Sequence, residues 1–405
     1  MKTAIIGGGA AGFFAAINLK EQCPEAEVCI YEQAPKVLAK VAVTGGGRCN
    51  LTNTFEDIRS TAEAYPRGEK LMKRLLKTFS QKDACAWFEA HGIALTVQTD
   101  RCVFPVSQDA HEIIRMFLAM CTRTGIDIRT NHRVTHIEKV DNGIKLTFSN
   151  GKKTTADRVI VTTGSFSATN HGSMLDGLPL KIEPPVPSLF SINIKEDIGK
   201  LSGAVIENAT ARIPGTSFKA SGALLITHWG MSGPAILKLS SYAARHLHEC
   251  GYRISIAINW CGNMNDEEIK KSINELIKTN SAKRVSSVHL PQTPARLWNR
   301  LLETRNIPLD KKCGELNKKE INRLTDALAN DTYEMTGKCR HKDEFVTCGG
   351  VSFESVSPTT LECRECSGLY FAGEALDIDG ITGGFNLQAA WTTGFTVARA
   401  ISESL

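Results

Sequence analysis

The chain has 405 residues, with 48 Lys and Arg against 43 Asp and Glu, a formal charge of +5. That length accommodates two or three domains and a large core. So mild a charge, with no long basic run, argues against a nucleic-acid or membrane-surface partner. No stretch approaches the roughly 20 consecutive apolar residues of a membrane span. The 13 cysteines are scattered and odd in number, which fits reduced thiols, and the cytoplasm is the expected compartment.

Lys2 to Ile6 reads as a buried strand, and its start at Lys2 leaves no room for a cleaved leader. It runs into Gly7-Gly8-Gly9-Ala10-Ala11-Gly12, and Ala11 to Lys20 reads as a helix. A second strand, Glu27 to Tyr31, ends at the acid Glu32. Strand, G-x-G-x-x-G turn, helix, strand and acid in that order form the dinucleotide-binding fingerprint. Gly7 permits the tight turn, Gly9 lets backbone approach a pyrophosphate, and Gly12 lets helix and strand pack closely. The helix start offers N–H groups and a positive dipole end to phosphate. Glu32 is placed to accept both ribose hydroxyls and repels a 2′-phosphate.

Lys40 to Asn53 carries three consecutive glycines, Gly45-Gly46-Gly47, then Arg48-Cys49-Asn50 and Thr52. Such a loop suits a backbone wrapped around a ligand, with Arg48, Thr44, Asn50 and Thr52 as hydrogen-bonding side chains. Gly68 to Phe79 shows helical spacing. Ser80 with Asp83, and Asp109 with Glu112, read as capping boxes of the next two helices. Residues 126–164 read as strands, with turns at Asn142-Gly143 and Asn150-Gly151, ending at Thr162-Thr163-Gly164.

Pro184-Pro185-Val186-Pro187 marks a boundary. Residues 188–262 alternate apolar and polar residues in short runs and predict a small antiparallel barrel or sandwich. Within it, Thr227 to Pro234 contains His228, a candidate acid–base residue or ligand of a substrate carbonyl. Trp229 and Met231 are candidates for a substrate pocket or for core. Residues 263–331 switch to helical signals, with Pro294 at a first helical position and Asn317 and Glu320 as a cap. Gly368 to Glu374 reads as a strand ending in a turn. Asp377, Asp379, Gly383 and Gly384 then precede a helix from Asn386 to about Ile401. Paired glycines ahead of a helix start can direct N–H groups at a bound ring and stabilise negative charge on it.

Cys49 is a single thiol, where disulfide reductases use two, so a packing role is expected for it. Cys363-x-x-Cys366 has metal or redox spacing, with Cys339 and Cys348 as the remaining conceivable ligands. Nothing in the sequence enforces that pairing, and no metal is expected.

Together the four motifs, Gly7 to Gly12, Gly45 to Asn53, Thr227 to Pro234 and Gly368 to Trp391, resemble the BaiN/YhiN-like family of bacterial FAD-dependent oxidoreductases. That family includes aminoacetone oxidase and a reductase of dehydro bile acids. The resemblance implies an α/β, Rossmann-like, two-dinucleotide-fold FAD domain that is discontinuous. An antiparallel β-barrel is inserted in it, and a small helical domain is nested in the barrel. The expected spans are 1–187 and 351–405 for the FAD domain, 188–262 with a return at 332–350 for the barrel, and 263–331 for the helices. The resemblance also implies non-covalent FAD, held first by Gly7, Gly9, Ala10, Ala11, Gly12, Glu32 and Gln33. A second group is Lys40, Thr44, Gly45, Gly46, Gly47, Arg48, Cys49, Asn50 and Thr52. Val134 is expected at the adenine, with Thr163 and Gly164 beyond it. Gly373, Glu374, Gly383, Gly384, Phe385, Asn386, Leu387 and Gln388 complete the set. His228 is the catalytic candidate.

Members differ in substrate, so the resemblance does not name the reaction. The leading expectation is a reductase of an enone-like or alkene-like small molecule. NAD(P)H is then a transient donor, because no second G-x-G-x-x-G follows a strand. An oxygen-using amine oxidase, a flavin-dependent RNA-modifying enzyme and a non-catalytic redox sensor are the alternatives. The sequence carries no sign of oligomeric state.

Overall fold

The computed structural model describes residues 1–166, 173–339 and 346–404. The chain divides into two compact units, Met1–Ser188 with Asp343–Leu405, and Leu189–Lys342.

The first unit is built on a five-stranded sheet in the order Leu369–Phe371, Arg158–Val161, Lys2–Ile6, Glu27–Tyr31, Asp127–Arg129, with every pair parallel. Ile5, Ile6 and Val159 to Val161 are all buried, as expected of strands covered on both faces. In register, Ile6 lies between Tyr31 and Val161, and Val161 lies beside Phe371. The strands therefore finish level, and the turns that leave them gather along one edge, where open α/β sheets bind ligands.

Helix Ala10–Gln22 is apolar on nearly every side, with Ala11 to Leu19 buried, so it must lie inside the unit. It packs against the C-terminal helix Phe385–Glu403. An aromatic cluster fills the space around them: Phe14, Phe88 and Phe117 lie 5.2, 5.3 and 5.9 Å from the Trp391 ring. The Trp391 indole N–H donates to Leu51 O at 2.9 Å. A three-stranded antiparallel meander, Val134–Val140, Gly143–Phe148 and Lys153–Ala156, leads into strand Arg158–Val161.

Ser80 and Asp83 form the expected capping box, as do Asn317 and Glu320. Asp109 caps differently: it accepts from His111 N, and the Glu112 carboxylate is taken up by the Ser107 hydroxyl. The helix expected over Gly68 to Phe79 runs only over Glu69–Leu75, after which Thr78 N and Phe79 N both turn back to Leu75 O. The proline run read as a boundary lies just before the division at Ser188 and itself forms a strand, Ile182–Ser188, paired antiparallel with Val346–Val351 across a bulge between Glu183 and Val186. The bulge accommodates Pro184 and Pro185, which cannot donate to a ladder.

The second unit contains a closed six-stranded barrel in the order Ile192–Ile194, Gly230–Ser232, Lys219–Ile226, Val205–Arg212, Ile254–Asn259, Asp331–Lys338. It closes because Ile192–Ile194 pairs on one side with Gly230–Ser232 and on the other with Asp331–Lys338. Helices Asp266–Thr279, Ala295–Thr304 and Lys318–Ala329 belong to the same unit and bury Ile269, Ile273, Trp298, Leu302, Leu324 and Leu328. The outer face of Asp266–Thr279 carries exposed Glu267, Lys271, Glu275 and Lys278.

Candidate cofactor site

At the fingerprint, Gly7 has φ +113°, and a Cβ on it would sit 2.4 Å from Thr162 O. A Cβ on Gly12 would sit 2.2 Å from Gly7 O. Both positions need glycine for backbone contact within the fold. Gly9 is different: a Cβ there would meet nothing within 4 Å. It caps helix Ala10–Gln22 with no side-chain hydrogen bond and no acid in the first turn. The helix start thus faces open space with its first N–H groups unclaimed by any side chain, the arrangement that receives an anion.

That space is a cavity of about 280 Å³ running from Gly7, Gly9, Ala10 and Ala11 past Glu32, Gln33 and Lys40 to Thr163 and Gly164. Gly373, Glu374, Asn386 and Leu387 line its far side. A second cavity of about 290 Å³ shares Gly7, Glu32, Gln33 and Thr163 with it and extends to Val134, His132 and Arg133. Glu32 stands where the two meet. Its carboxylate accepts from Gly8 N and Ala34 N, each at 2.8 Å. Each oxygen keeps a further lone pair for a ligand hydroxyl. Lys40 Nζ and Glu374 Oε2 pair at 3.2 Å beside Gly164, joining segments 334 residues apart.

Other expected site residues make contacts of their own within the fold. Thr44 Oγ1 donates to Val41 O, and Cys49 N closes the glycine loop onto Thr44 O at 3.0 Å. Gly45, Gly46 and Gly47 all have positive φ, the conformation glycine supplies for such a turn. Arg48 folds back: its Nε donates to Gly45 O at 3.0 Å, and its guanidinium lies 4.4 Å from the Phe104 ring centre. Cys49 is fully buried, and burial pushes its thiol up to about 12. Thr52 Oγ1 donates to Gln388 Oε1 at 2.6 Å, and both side chains are buried. The Asn50 amide bridges Thr52 O and Gly384 N. The Gly383 carbonyl accepts from Asn53 Nδ2 at 3.2 Å, and Phe385 packs into an aromatic group with Phe55 and Tyr65.

His228 lies in the other unit, exposed in the turn between strands Lys219–Ile226 and Gly230–Ser232. Thr227 and Gly230 clamp that turn through three hydrogen bonds of 2.9 to 3.0 Å. Met231 is buried and Trp229 partly so. Cys363 and Cys366 are buried free thiols, both raised chiefly by burial.

Sequence reasoning missed Leu38, whose N–H donates to Gly8 O at 2.7 Å and whose backbone has φ +56°. It also missed His132 and Arg133. No local pattern announces them; only their place beside Val134 would have pointed to them.

Over residues 1–400 the chain matches the family described as HI0933-like protein Rossmann domain. A protein named 3-dehydro-bile acid delta(4,6)-reductase, from Clostridium scindens, is 30% identical over 98% of each chain. A protein named ribosomal RNA dihydrouridine synthase, from Escherichia coli K12, is 29% identical over 98% of this chain and 96% of its own. Among solved structures, 3-ketosteroid-delta4-(5alpha)-dehydrogenase from Rhodococcus jostii superposes with a TM-score of 0.51 at 12% identity, covering 98% of this chain and 96% of that one. The 3-ketosteroid delta1-dehydrogenase from Sterolibacterium denitrificans gives 0.51 at 13%, covering 100% and 99%. At such identities the two structures speak for the fold alone. The full-length match, in contrast, settles membership: the chain belongs to the HI0933-like family, flavoprotein oxidoreductases built on a Rossmann-type FAD-binding fold.

Proposed function

We propose that the two adjoining cavities hold one molecule of non-covalent FAD. We further propose that the protein reduces a carbon–carbon double bond conjugated to a carbonyl in a small organic substrate, with a reduced nicotinamide as donor. The observation that carries this reading is the cleft itself. Its two parts share Gly7, Glu32, Gln33 and Thr163, with a helix start free of side-chain caps at Gly9 and open space where a side chain at Gly9 would stand. Val134 and Arg133 flank the adenine, Glu32 takes the ribose, and the N–H groups behind Gly9 take the pyrophosphate. Gly164, Gly373, Asn386 and Leu387 border the ring. Bound FAD supplies the hydride chemistry that side chains cannot.

The substrate class draws on what two relatives share. A delta(4,6)-reductase of a 3-dehydro bile acid and a dihydrouridine synthase both, by their names, saturate a ring double bond in conjugation with a carbonyl. His228 is the proton donor in this reading, since a conjugated alkene that accepts hydride needs a proton at the neighbouring carbon or oxygen. With a single glycine fingerprint in the sequence, the nicotinamide is a visitor without a nucleotide fold of its own.

Anaerobic stopped-flow spectroscopy tests the proposal. NADH or NADPH should bleach the bound flavin, and a 3-oxo-Δ4 steroid or a simple cyclic enone should restore its colour faster than buffer alone. A flavin that no nicotinamide reduces overturns the donor assignment. Reoxidation only by oxygen, after reduction by an amine, replaces the reductase with an oxidase. The Escherichia coli relative favours one second reading, uridine within RNA as the acceptor, and reoxidation by ribosomal RNA but by no enone selects it.

A further inference from the structure

The segment Ala64–Gly68 belongs to none of the motifs, yet it grips the turn that starts the C-terminal helix. Ala64 O accepts from Ile381 N at 2.9 Å. The Tyr65 hydroxyl, fully buried, donates to Phe385 O at 3.0 Å, on the first residue of that helix. Arg67 reaches Asp379 with two parallel hydrogen bonds, Nε to Oδ1 at 2.5 Å and Nη2 to Oδ2. Ser188 Oγ donates to the same Oδ2 at 2.8 Å and accepts from Arg67 Nη2 at 3.1 Å. Asp379 and Ser188 are fully buried. A short antiparallel bridge pairs the backbones of Arg67 and Asp379. From there Gly380 is tied to Asn386, its N–H donating to Asn386 Oδ1 at 2.8 Å while Asn386 Nδ2 donates to Gly380 O at 2.9 Å. Asn386 and Leu387 line the cleft.

We infer that Arg67, acting through Asp379, is a positioning residue for the cofactor: it fixes the turn Asp379–Gly384 and so aims the N-terminus of helix Phe385–Glu403 at the bound ring. This rests on the reading of the cleft as an FAD site. A helix start held against the ring favours the reduced form, which carries more negative charge. A bidentate guanidinium fixes direction as well as distance, which an ammonium cannot. Arg67 lines neither cavity; its influence passes through Asp379, Gly380 and Asn386.

The test uses the full-length protein loaded with FAD and the variants R67K and R67M. Dissociation constants of oxidised FAD come from fluorescence titration, midpoint potentials from equilibration with a reference dye, and thermal midpoints from the apoproteins. R67M should bind reduced FAD at least ten-fold more weakly relative to oxidised FAD than the wild type does. That corresponds to a fall of about 30 mV for a two-electron couple. R67K, which keeps the charge and loses the fork, should fall in between. A variant that loses thermal stability but keeps the wild-type potential overturns the inference, because the ion pair then serves folding alone. Should R67M fail to fold, R67K decides by the same criterion: a lowered potential supports the inference and an unchanged one overturns it. A wild-type protein that takes up no FAD from micromolar solution overturns the cofactor reading, and this inference with it. FAD uptake with no effect of either variant overturns this inference alone.

Discussion

Replacing Gly9 by alanine should separate binding from folding. Gly9 has φ −97° and ψ −168°, an extended conformation open to any residue, and the added methyl would contact no heavy atom within 4 Å. In the apoprotein the substitution therefore creates no clash, and it removes freedom from the unfolded chain, a gain of about 0.4–1 kcal/mol. The same methyl stands over the N–H groups of the helix start. If it displaces one backbone hydrogen bond to a charged phosphate, worth about 1.5–3 kcal/mol, FAD affinity falls roughly ten- to hundred-fold. Gly12→Ala is the control, because its methyl would press to 2.2 Å from Gly7 O and 2.7 Å from Thr162 Oγ1, overpacking that costs about 1–3 kcal/mol. Urea midpoints of the apoproteins and fluorescence titration with FAD measure the two effects. G9A should be as stable as the wild type or more so, and bind poorly; G12A should be less stable. A G9A protein that binds FAD at wild-type affinity refutes the placement of the pyrophosphate.

Glu32→Arg removes the acceptor of Gly8 N and Ala34 N along with the ribose acceptor, so the variant should purify largely colourless; a fully yellow protein contradicts the role given to Glu32. Lys40→Ala breaks a pair whose lysine side chain is 70% exposed, and solvent screening should hold the stability change under about 1 kcal/mol in urea unfolding. The Cys49 thiol, raised by burial from 9.0 to about 12, stays protonated in the folded protein, while an unfolded chain ionises it above pH 9. Its contribution to stability is therefore complete below pH 9 and lost as pH rises towards 12. Iodoacetamide at pH 8, read by mass spectrometry, should spare Cys49 in the native protein and label it in urea. His228→Ala, at an exposed turn, should leave FAD content and urea midpoint unchanged and slow enone reduction by about 10²–10⁴; unaltered turnover removes it as the acid.

The residues that shape backbone locally were legible in advance. Gly7, Gly9 and Gly12 announce the turn by their spacing before a helix, although the close approach that requires glycine at position 7 is to the distant Thr162 O, and Ser80 with Asp83 or Asn317 with Glu320 satisfies helix starts within one turn. Asp109 with Glu112 has the same spacing, and there Ser107 takes the glutamate away. A spacing offers a partner without excluding a competitor. The glycine loop before Arg48 was readable as a loop, but the direction of Arg48 was not, since Phe104 and Gly45 O claim it.

The order of strands, helices and glycine turns, and with it the dinucleotide cradle, was thus written in the chain, because those features arise from covalent neighbours and from apolar periodicity. Which side chains line the cavities and which pair with distant segments was decided only on folding. Thr52 meets Gln388 across 336 residues and Arg67 meets Asp379 across 312. Such pairs form when distant segments exclude water together, and no window of sequence contains both halves of the contact.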